Sequence, residues 1–231
     1  MKVLLISASP RRGGNTFTAL SEVKKTLEQD GIETELIELG AKPVRGCIAC
    51  NGCRKDPAKP RCVFNDDITN TISEKAEGAD AFVFGAPVYY GVPNATAMAL
   101  VQRLLYSNGA AFRYKPVANV CVCRRGGADV AYQTMNMMFE MCNMPIVTSQ
   151  YWNIAYGREK GEAAQDIEGM QTMRTLAHNL SWMLKKFHGI KTTDKPESEP
   201  RTPMHFIRLR WHEHEGWFII GYAHELACDR A

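Results

Sequence analysis

Residues 1–16 read MKVLLISASPRRGGNT, a short apolar run followed by a loop of small and polar residues. Val3–Ile6 has the length and the continuous apolar character of a buried parallel strand. Apolar residues then recur at helical spacing from Thr16 to Gln29, which predicts a helix with Asn15 as its N-cap. This strand–loop–helix unit is typical of an α/β fold with a parallel sheet.

The loop between this strand and this helix is a candidate phosphate site. Small residues let the backbone turn tightly, so hydroxyl, amide and backbone N–H groups face the helix N-terminus, where a phosphate is best stabilised. The pattern is neither the G-x-G-x-x-G dinucleotide fingerprint nor a Walker loop. An ordinary polar turn with a helix cap is the alternative interpretation. The candidate donors and cations are Ser9, Arg11, Arg12, Asn15 and Thr16.

Strand-like and helix-like patterns continue to alternate up to about residue 190, which favours a three-layer, doubly wound sheet of five parallel strands. The predicted strands are Val3–Ile6, Glu33–Leu39, Ala81–Phe84, Val117–Val122 and Ile146–Tyr151. The predicted helices span residues 16–29, 67–77, 95–106, 130–141 and 166–188. Residues 191–203 have the composition of a solvated linker, and two short strands are predicted at 205–210 and 217–222. We therefore expect a domain over residues 1–190 and a linker with a C-terminal arm over 191–231.

Composition excludes several classes of protein. The chain has 231 residues, of which 45% are hydrophobic and 23% charged, unlike disordered, collagen-like or coiled-coil chains. Its net charge of +3 provides no polybasic field for nucleic acid or a membrane surface. The sequence has no apolar run of the roughly 20 residues that span a bilayer, and its N-terminus lacks a signal-peptide core. We expect a cytoplasmic protein with neither nucleic acid nor membrane as a partner.

Two further loops follow predicted strands and suit a planar ligand. Ala86–Pro93 combines stiffening prolines, a glycine that permits close backbone approach and two tyrosines that offer stacking surface. Cys123–Gly127 ends in two glycines whose backbone N–H groups can approach a ligand. The carboxyl ends of parallel strands meet at one edge of a sheet, so we expect these loops to join the phosphate loop in one site. The candidate ring-binding residues are Pro87, Val88, Tyr89, Tyr90, Gly91, Arg124, Gly126 and Gly127.

In this order, the three loops resemble those of the NAD(P)H-dependent FMN reductases, a flavodoxin-like family. The resemblance covers residues 1–188 and leaves out the C-terminal arm. It implies an FMN whose phosphate lies at the first loop and whose ring lies at the other two, with NAD(P)H as a possible electron donor. It also implies a homodimer or homotetramer in which Trp152 lies near a neighbouring subunit's flavin. For the two tyrosines, packing in a core or an interface is the alternative.

Four of the eight cysteines lie within sixteen residues, spaced C-x2-C-x2-C-x8-C, inside a loop over residues 45–63. A disulfide framework is not expected in a reducing compartment, so metal or redox chemistry is favoured. Three cysteines at this spacing can wrap around a cuboidal iron–sulfur cluster that the fourth closes, whereas zinc more often uses two separated knuckles. Four reduced thiols without a metal are the alternative. The candidate ligands are Cys47, Cys50, Cys53 and Cys62.

The cysteine loop resembles that of the iron–sulfur flavoproteins, whose compact motif binds a [4Fe-4S] cluster between the second strand and the second helix. The spacing of eight residues before Cys62 is longer than is usual in that family. Relatives in the wider reductase family keep a partial cysteine set without a cluster.

Three hypotheses about function follow. In the first, the protein is an FMN-dependent, electron-transferring iron–sulfur flavoprotein that exchanges electrons with a ferredoxin-type donor and a small-molecule acceptor. In the second, it is an NAD(P)H-dependent FMN or quinone reductase without a cluster. In the third, it is a non-catalytic redox-sensing flavin module. In the first two the flavin performs the chemistry, and no side chain is expected to act as a catalytic acid or base.

Overall fold

The computed structural model describes residues 1–56, 58, 60–188, 196, 209–212 and 216–219. The strands of the main sheet are β1 (Lys2–Ser7), β2 (Glu33–Glu38), β3 (Ala81–Tyr89), β4 (Val92–Pro93), β5 (Val117–Cys123) and β6 (Ile154–Tyr156). Within the described residues, five of them run parallel in the order β2-β1-β3-β5-β6, and β4 pairs antiparallel with β3. This is the flavodoxin-like strand order, and the predicted fold class is confirmed.

Helices cover both faces of this sheet. They are α1 (Asn15–Gln29), α2 (Thr69–Glu77), α3 (Ala95–Asn108), α4 (Ala128–Glu140) and α5 (Ile167–Phe187). Alternate residues of a strand face opposite sides: Val3 and Leu5 pack with α1 and α5, while Leu4 and Ile6 pack with α2, α3 and α4. Burial on both faces explains why the central strands are almost wholly apolar.

Strand β3 is longer than the sequence predicts. It was expected to end at Phe84, before Gly85-Ala86-Pro87, but pairing with β5 continues as far as Pro87 opposite Val122. A Cβ on Gly85 would lie 2.7 Å from Leu20 Cδ1, so glycine serves here to let α1 pack closely on the strand. The glycine and proline therefore lie inside the strand, and the loop that follows is short.

The fifth parallel strand lies later than predicted. At the predicted position, Ile146–Tyr151, the structure has an isolated bridge from Ile146 to Val117, and pairing with β5 resumes at Ile154 opposite Cys121. Between these two pairings β5 advances by four residues, from Val117 to Cys121, while its neighbour advances by eight, from Ile146 to Ile154. Residues 148–153 therefore bulge from the sheet. Asn153 is fully buried and closes this bulge by donating to the Val147 carbonyl at 3.4 Å.

Contacts divide the chain into two compact units, Met1–Ile190 and Lys191–Ala231. The second unit contains a hairpin of β7 (Leu209–His212) and β8 (Gly216–Ile219), with Trp211 opposite Trp217. The remainder of the strands predicted at 205–210 and 217–222 lies outside the described residues. Across the part of the chain that is described, no helix combines the length and apolar character needed to cross a bilayer.

Candidate functional site

The loops that follow β1, β3–β4 and β5 contact one another at the carboxyl edge of the sheet. Asn94, directly after β4, donates from Nδ2 to the carbonyl of Ala8 at 2.8 Å and so joins the second loop to the first. A Cβ on Gly127 would lie 2.7 Å from Cα of Gly91, so the third loop touches the second. The structure thereby brings the predicted phosphate and ring-binding residues together in one region.

The phosphate loop is a tight turn held by its own hydrogen bonds. The N–H of Arg11 donates to Ser9 Oγ at 3.2 Å, and the N–H of Gly14 donates to the Arg11 carbonyl at 3.1 Å. Gly13 has φ of +60°, and its N–H donates to Glu38 Oε2 at 2.8 Å. The carboxylate of Glu38, at the end of β2, thus holds the loop in place through the N–H of Gly13.

Cations surround this loop. Arg11 and Arg12 are exposed, and Arg11 Nη1 donates to the carbonyl of Arg158 at 3.5 Å. A Cβ on Gly13 would lie 3.3 Å from Lys160 Cε. Lys160 is absent from the sequence-based candidates because it lies far along the chain, and only the fold returns it to the first loop.

Asn15 has a different local role from the one predicted. Helix α1 begins at Asn15 itself with Gly14 as the N-cap residue, and Asn15 does not cap it. Its Oδ1 instead accepts from the Ala163 N–H at 3.1 Å, which ties the segment before α5 to the phosphate loop. Its Nδ2 keeps two N–H donors for a ligand. Thr16, also a predicted donor, is 2% exposed and packs its methyl group toward Gly85.

The predicted ring loop is a two-residue β-hairpin turn. Tyr89 pairs with Val92, and the turn residues Tyr90 and Gly91 have φ of 52° and 81°. Positive φ at both positions defines a type I′ turn, in which tyrosine is an uncommon first residue. The Tyr90 side chain is fully exposed. The aromatic ring of Tyr90 thus lies in solvent next to the contact between Gly91 and Gly127, and its backbone conformation is strained. Of the other predicted ring residues, Pro87 and Val88 belong to β3 and are partly buried.

The loop after β5 borders an open cavity of about 580 Å³ between the N-termini of α4 and α5. Arg125, Gly126 and Gly127 line this cavity together with Trp152 and Tyr156. Arg124 is exposed. The rings of Tyr151 and Trp152 contact each other with centroids 5.2 Å apart. The bulge after Val147 therefore places exposed aromatic surface beside the predicted flavin loop.

The two cysteines of β5 are buried and are not candidates for redox chemistry. Burial raises the pKa of Cys121 to about 12, with a further contribution from the neighbouring Cys123. Burial also raises the pKa of Cys123. Both thiols therefore stay protonated at neutral pH and pack as small apolar groups.

All four cysteines of the cysteine loop line one small cavity with an apolar wall. Cys47 and Cys50 are exposed, whereas Cys53 and Cys62 are partly buried. The loop folds around this cavity with Ala49 and Asn51 at positive φ, 53° and 56°. Among the described residues, no three His, Cys, Asp or Glu side chains are placed to hold a single metal ion. A cuboidal cluster differs from a single ion in that it distributes four thiolates over four irons, and a shared cavity lined by the thiols suits such a donor set.

Cys62 is held firmly despite the long spacing that precedes it. Asn70, 4% exposed, accepts from the Cys62 N–H at 3.0 Å and donates to the Cys62 carbonyl at 2.9 Å. The same amide donates to the Phe64 carbonyl at 3.1 Å. Arg103 Nη2 donates to Cys62 Sγ at 3.3 Å. These hydrogen bonds fix the position of Cys62, which is one of the residues that line the cavity.

The other side of the cysteine loop is fastened by Tyr106 of α3. Its hydroxyl donates to Asn51 Oδ1 at 2.6 Å, and the guanidinium of Arg54 lies 4.9 Å from the centre of its ring. The guanidinium of Arg45 lies over the ring of Phe64 in the same way, at 4.4 Å. The basic residues that flank the cysteines therefore serve in part as packing groups on aromatic rings.

Several residues of these sites escape sequence reasoning. Asn70 stands in the polar run Thr69-Asn70-Thr71, Arg103 counts as a polar position between apolar ones, and Asn94 looks like an ordinary helix cap. A buried arginine inside an apolar helical pattern, at Leu100-Val101-Gln102-Arg103-Leu104-Leu105, is the signal that could have drawn attention to Arg103.

The model of the NADPH-dependent FMN reductase family matches residues 1–159. The chain is 32% identical over 193 residues to an iron–sulfur flavoprotein of Methanocaldococcus jannaschii, covering 80% of this chain and 98% of that protein. It is 31% identical over 191 residues to the iron–sulfur flavoprotein of Methanosarcina thermophila, covering 80% and 96%.

Solved structures agree on the fold. RosB with the bound intermediate 8-demethyl-8-formylriboflavin-5'-phosphate superimposes with a TM-score of 0.66 at 16% identity, covering 96% of this chain and 99% of RosB. An archaeal flavodoxin superimposes with a TM-score of 0.54 at 12% identity, covering 80% and 99%.

Proposed function

The chain belongs to the NADPH-dependent FMN reductase family and is an FMN-dependent oxidoreductase, and on that premise we propose that it transfers electrons between FMN and a [4Fe-4S] cluster. The observation that carries this proposal is the cavity shared by Cys47, Cys50, Cys53 and Cys62. Four thiols line this one cavity, and thiolates are the donors that iron–sulfur clusters require. Family membership as an oxidoreductase disfavours the non-catalytic redox-sensing module.

The chain's own groups define what each cofactor would meet. At the phosphate loop, Asn15 Nδ2, the backbone N–H groups at the start of α1 and the nearby Lys160 would hold the FMN phosphate. At the hairpin turn and the loop of Arg124–Gly127, Tyr90 and the glycine backbone would hold the ring. When bound, FMN supplies one- or two-electron chemistry and a cluster supplies one-electron transfer, while the protein positions both and adjusts their potentials.

Partners and location belong to the same proposal. A one-electron donor of the ferredoxin type or NAD(P)H would reduce the protein, and a small molecule would accept the electrons. The exposed aromatic surface of Tyr151 and Trp152 supports a homodimer or homotetramer in which this surface is covered. A cytoplasmic location is consistent with the unpaired state of all seven cysteines in the described part of the chain.

A second candidate is the NAD(P)H-dependent reductase without a cluster. The cavity of about 580 Å³ favours it, because an aromatic-lined space beside the predicted flavin loop could admit a planar acceptor or a nicotinamide. The exposure of Cys47 and Cys50 also agrees with thiols that hold no metal.

Anaerobic purification with iron, sulfide and flavin assays separates the two candidates. We expect about one FMN, four irons and four sulfides per chain. Cys62→Ser should reduce the iron content strongly, whereas Cys142→Ser, at a partly buried thiol outside the cysteine loop, should leave it unchanged. One FMN with no iron would reject the cluster and leave the second candidate. A protein that takes up no FMN from excess cofactor would contradict both.

A further inference from the structure

Arg103 is buried to an extent that is unusual for an arginine. It lies on α3 and is 1% exposed, and among the described residues its Nε has no hydrogen-bond partner. Arginine is almost never fully buried unless it is paired, because removing its charge from water is costly. The hydrogen bonds of the guanidinium therefore indicate the role of this buried charge.

The guanidinium of Arg103 joins the two ends of the cysteine loop. Nη1 donates to the Asp67 carboxylate and, at 3.3 Å, to the carbonyl of Arg45, ahead of the first cysteine. Nη2 donates to Cys62 Sγ at 3.3 Å and to the Phe64 carbonyl at 3.2 Å, beyond the last cysteine. A planar fork can reach four acceptors in this way, which a lysine ammonium cannot do with the same geometry.

The charge of Arg103 is balanced within the protein and not by water. Asp67, whose side chain is 5% exposed, is the counter-ion. Burial tends to raise the pKa of Asp67, but hydrogen bonds from Thr69 and Arg103 outweigh burial, and the pKa lies below its usual value. By contrast, the side chains of Arg45 and Arg61 are 46% and 58% exposed. Only a buried donor exerts an electrostatic effect that water does not screen.

We propose that Arg103 is a positioning residue for the cluster: it fixes Cys62 as the fourth ligand and donates a hydrogen bond to its sulfur that raises the reduction potential. The proposal rests on the proposed function, since it presumes that the cluster is present. A hydrogen bond to a ligating thiolate withdraws electron density from the sulfur, and hydrogen bonds to sulfur are among the factors that set cluster potentials. A buried cation close to the cluster acts in the same direction, because it stabilises the reduced, more negative state.

The test compares R103K with R61Q in the full-length protein reconstituted with iron and sulfide. R103K keeps a positive charge near Asp67 but loses the fork that reaches Cys62. R61Q removes one charge beside Cys62 in the sequence, at a side chain whose ion pair with Glu74 is exposed and 3.7 Å long. The cluster potential is measured by an anaerobic redox titration followed by electron paramagnetic resonance, together with iron content and bound FMN.

We expect R103K to lower the cluster potential by about 59 mV, which corresponds to a tenfold change in the one-electron equilibrium, and to lower the iron content. R61Q should match wild type in both. A merely structural role would reduce the iron content of R103K but would leave the potential of the assembled clusters unchanged.

A second variant tests the same electrostatic effect with the opposite expected sign. D67N keeps the donor to Cys62 but removes the counter-ion of Arg103, so we expect the potential to shift in the opposite direction, upward. FMN content reports whether each variant is folded.

The outcomes separate this inference from the proposed function. If wild type assembles a cluster and the potentials of R103K and D67N equal that of wild type, the role of Arg103 is overturned and the proposed function stands. If wild type itself assembles no cluster while binding FMN, the cluster proposal fails and the role of Arg103 fails with it.

Discussion

The side-chain amide of Asn70 forms hydrogen bonds with both backbone polar groups of Cys62, accepting from its N–H at 3.0 Å and donating to its carbonyl at 2.9 Å. Asn70 lies on α2, a helix packed against the sheet, whereas Cys62 lies in the irregular segment before that helix. The contact therefore fixes the position of Cys62 relative to the sheet, although the loop around this cysteine has little regular structure of its own.

Replacing Asn70 by alanine should release Cys62 and weaken the fold together. Buried backbone groups left without partners cost about 1–3 kcal/mol each, so we expect the free energy of unfolding to fall by ~2 kcal/mol. The iron content after reconstitution should fall as well. Urea denaturation of the apoprotein and an iron assay measure the two effects. Thr71→Ala, at the exposed neighbour on the same helix, is the control. If Asn70→Ala equals this control in stability and iron content, the hydrogen bonds from Asn70 to Cys62 are not needed.

Asn15 offers a way to separate ligand binding from loop structure. Asn15→Asp keeps the oxygen that accepts from the Ala163 N–H, but it places a negative charge at the phosphate loop and removes the Nδ2 donors. We expect FMN affinity to fall by at least about tenfold, or ~1.4 kcal/mol, with little change in the apoprotein's stability. Fluorescence titration with FMN is the measurement. Gln29→Glu introduces the same charge at the exposed far end of α1 and should leave the affinity unchanged; equal affinities in both variants would reject a phosphate role for Asn15.

Adjacent glycines in the loop after β5 should respond differently to the same substitution. A Cβ on Gly127 would lie 2.7 Å from Gly91 Cα, and its φ of +85° is unfavourable for alanine. At Gly126 nothing lies within 4 Å of the added atom. We expect Gly127→Ala to push the two loops apart, lower stability by ~1–3 kcal/mol and reduce FMN binding, while Gly126→Ala keeps the stability of the wild type. Thermal unfolding of the apoprotein and FMN titration provide the comparison, and two variants with the same behaviour would contradict the loop contact.

The sequence pattern locates some strands of the sheet correctly and misplaces others. The buried runs at β1 and β5 are short, apolar and bounded by polar residues, so local pattern suffices to locate them. β3 continues through Gly85 and Pro87 because helix packing and a parallel neighbour permit both residues inside the strand, and neither condition is visible locally. β6 is displaced to Ile154 because the bulge is closed by Asn153, a long-range consequence of pairing with β5.

The candidate site divides in the same way. Loops that follow β1, β3 and β5 are predictable because parallel strands place their carboxyl ends together. Asn94 and Arg103 fasten these loops through hydrogen bonds that span 36 to 86 positions of sequence, whereas those of Asn70 to Cys62 and Phe64 span six to eight. No spacing rule relates such partners, because their meeting depends on helix placement in the finished fold. Motifs therefore indicate the chemistry, and the supporting contacts appear only with the structure.

Tyr90 is expected to lower the stability of the apoprotein while its ring contributes to FMN binding. Its φ of 52° in a type I′ turn costs a residue other than glycine or asparagine about 1 kcal/mol or more. Tyr90→Asn should therefore stabilise the apoprotein by ~1 kcal/mol and weaken FMN binding through loss of the ring. Tyr90→Phe, which keeps both the strain and the ring, should alter neither property. Urea denaturation and flavin titration test this pair, and an Asn variant with unchanged affinity would remove Tyr90 from the ring site.

Asp67 should make a pH-dependent contribution to the stability of the fold. The pKa of Asp67 is lowered in the folded protein, where burial is outweighed by hydrogen bonds from Thr69 and Arg103. A lowered folded-state pKa stabilises the fold above the unfolded-state pKa of about 3.9, and this stabilisation is lost as the pH falls through the folded-state value.

Asp67→Asn should therefore cost ~3 kcal/mol at pH 7, the usual cost of breaking a buried pair, and the gap to wild type should narrow below about pH 4. The side chain of Asp66 is 56% exposed and pairs with Arg45 at 3.0 Å, so Asp66→Asn should cost less than about 1 kcal/mol at pH 7. Urea denaturation of the apoprotein from pH 3 to pH 7, with the three proteins compared at each pH, measures this difference. A gap between wild type and Asp67→Asn that stays constant over this range would show that the carboxylate of Asp67 does not stabilise the fold through its charge.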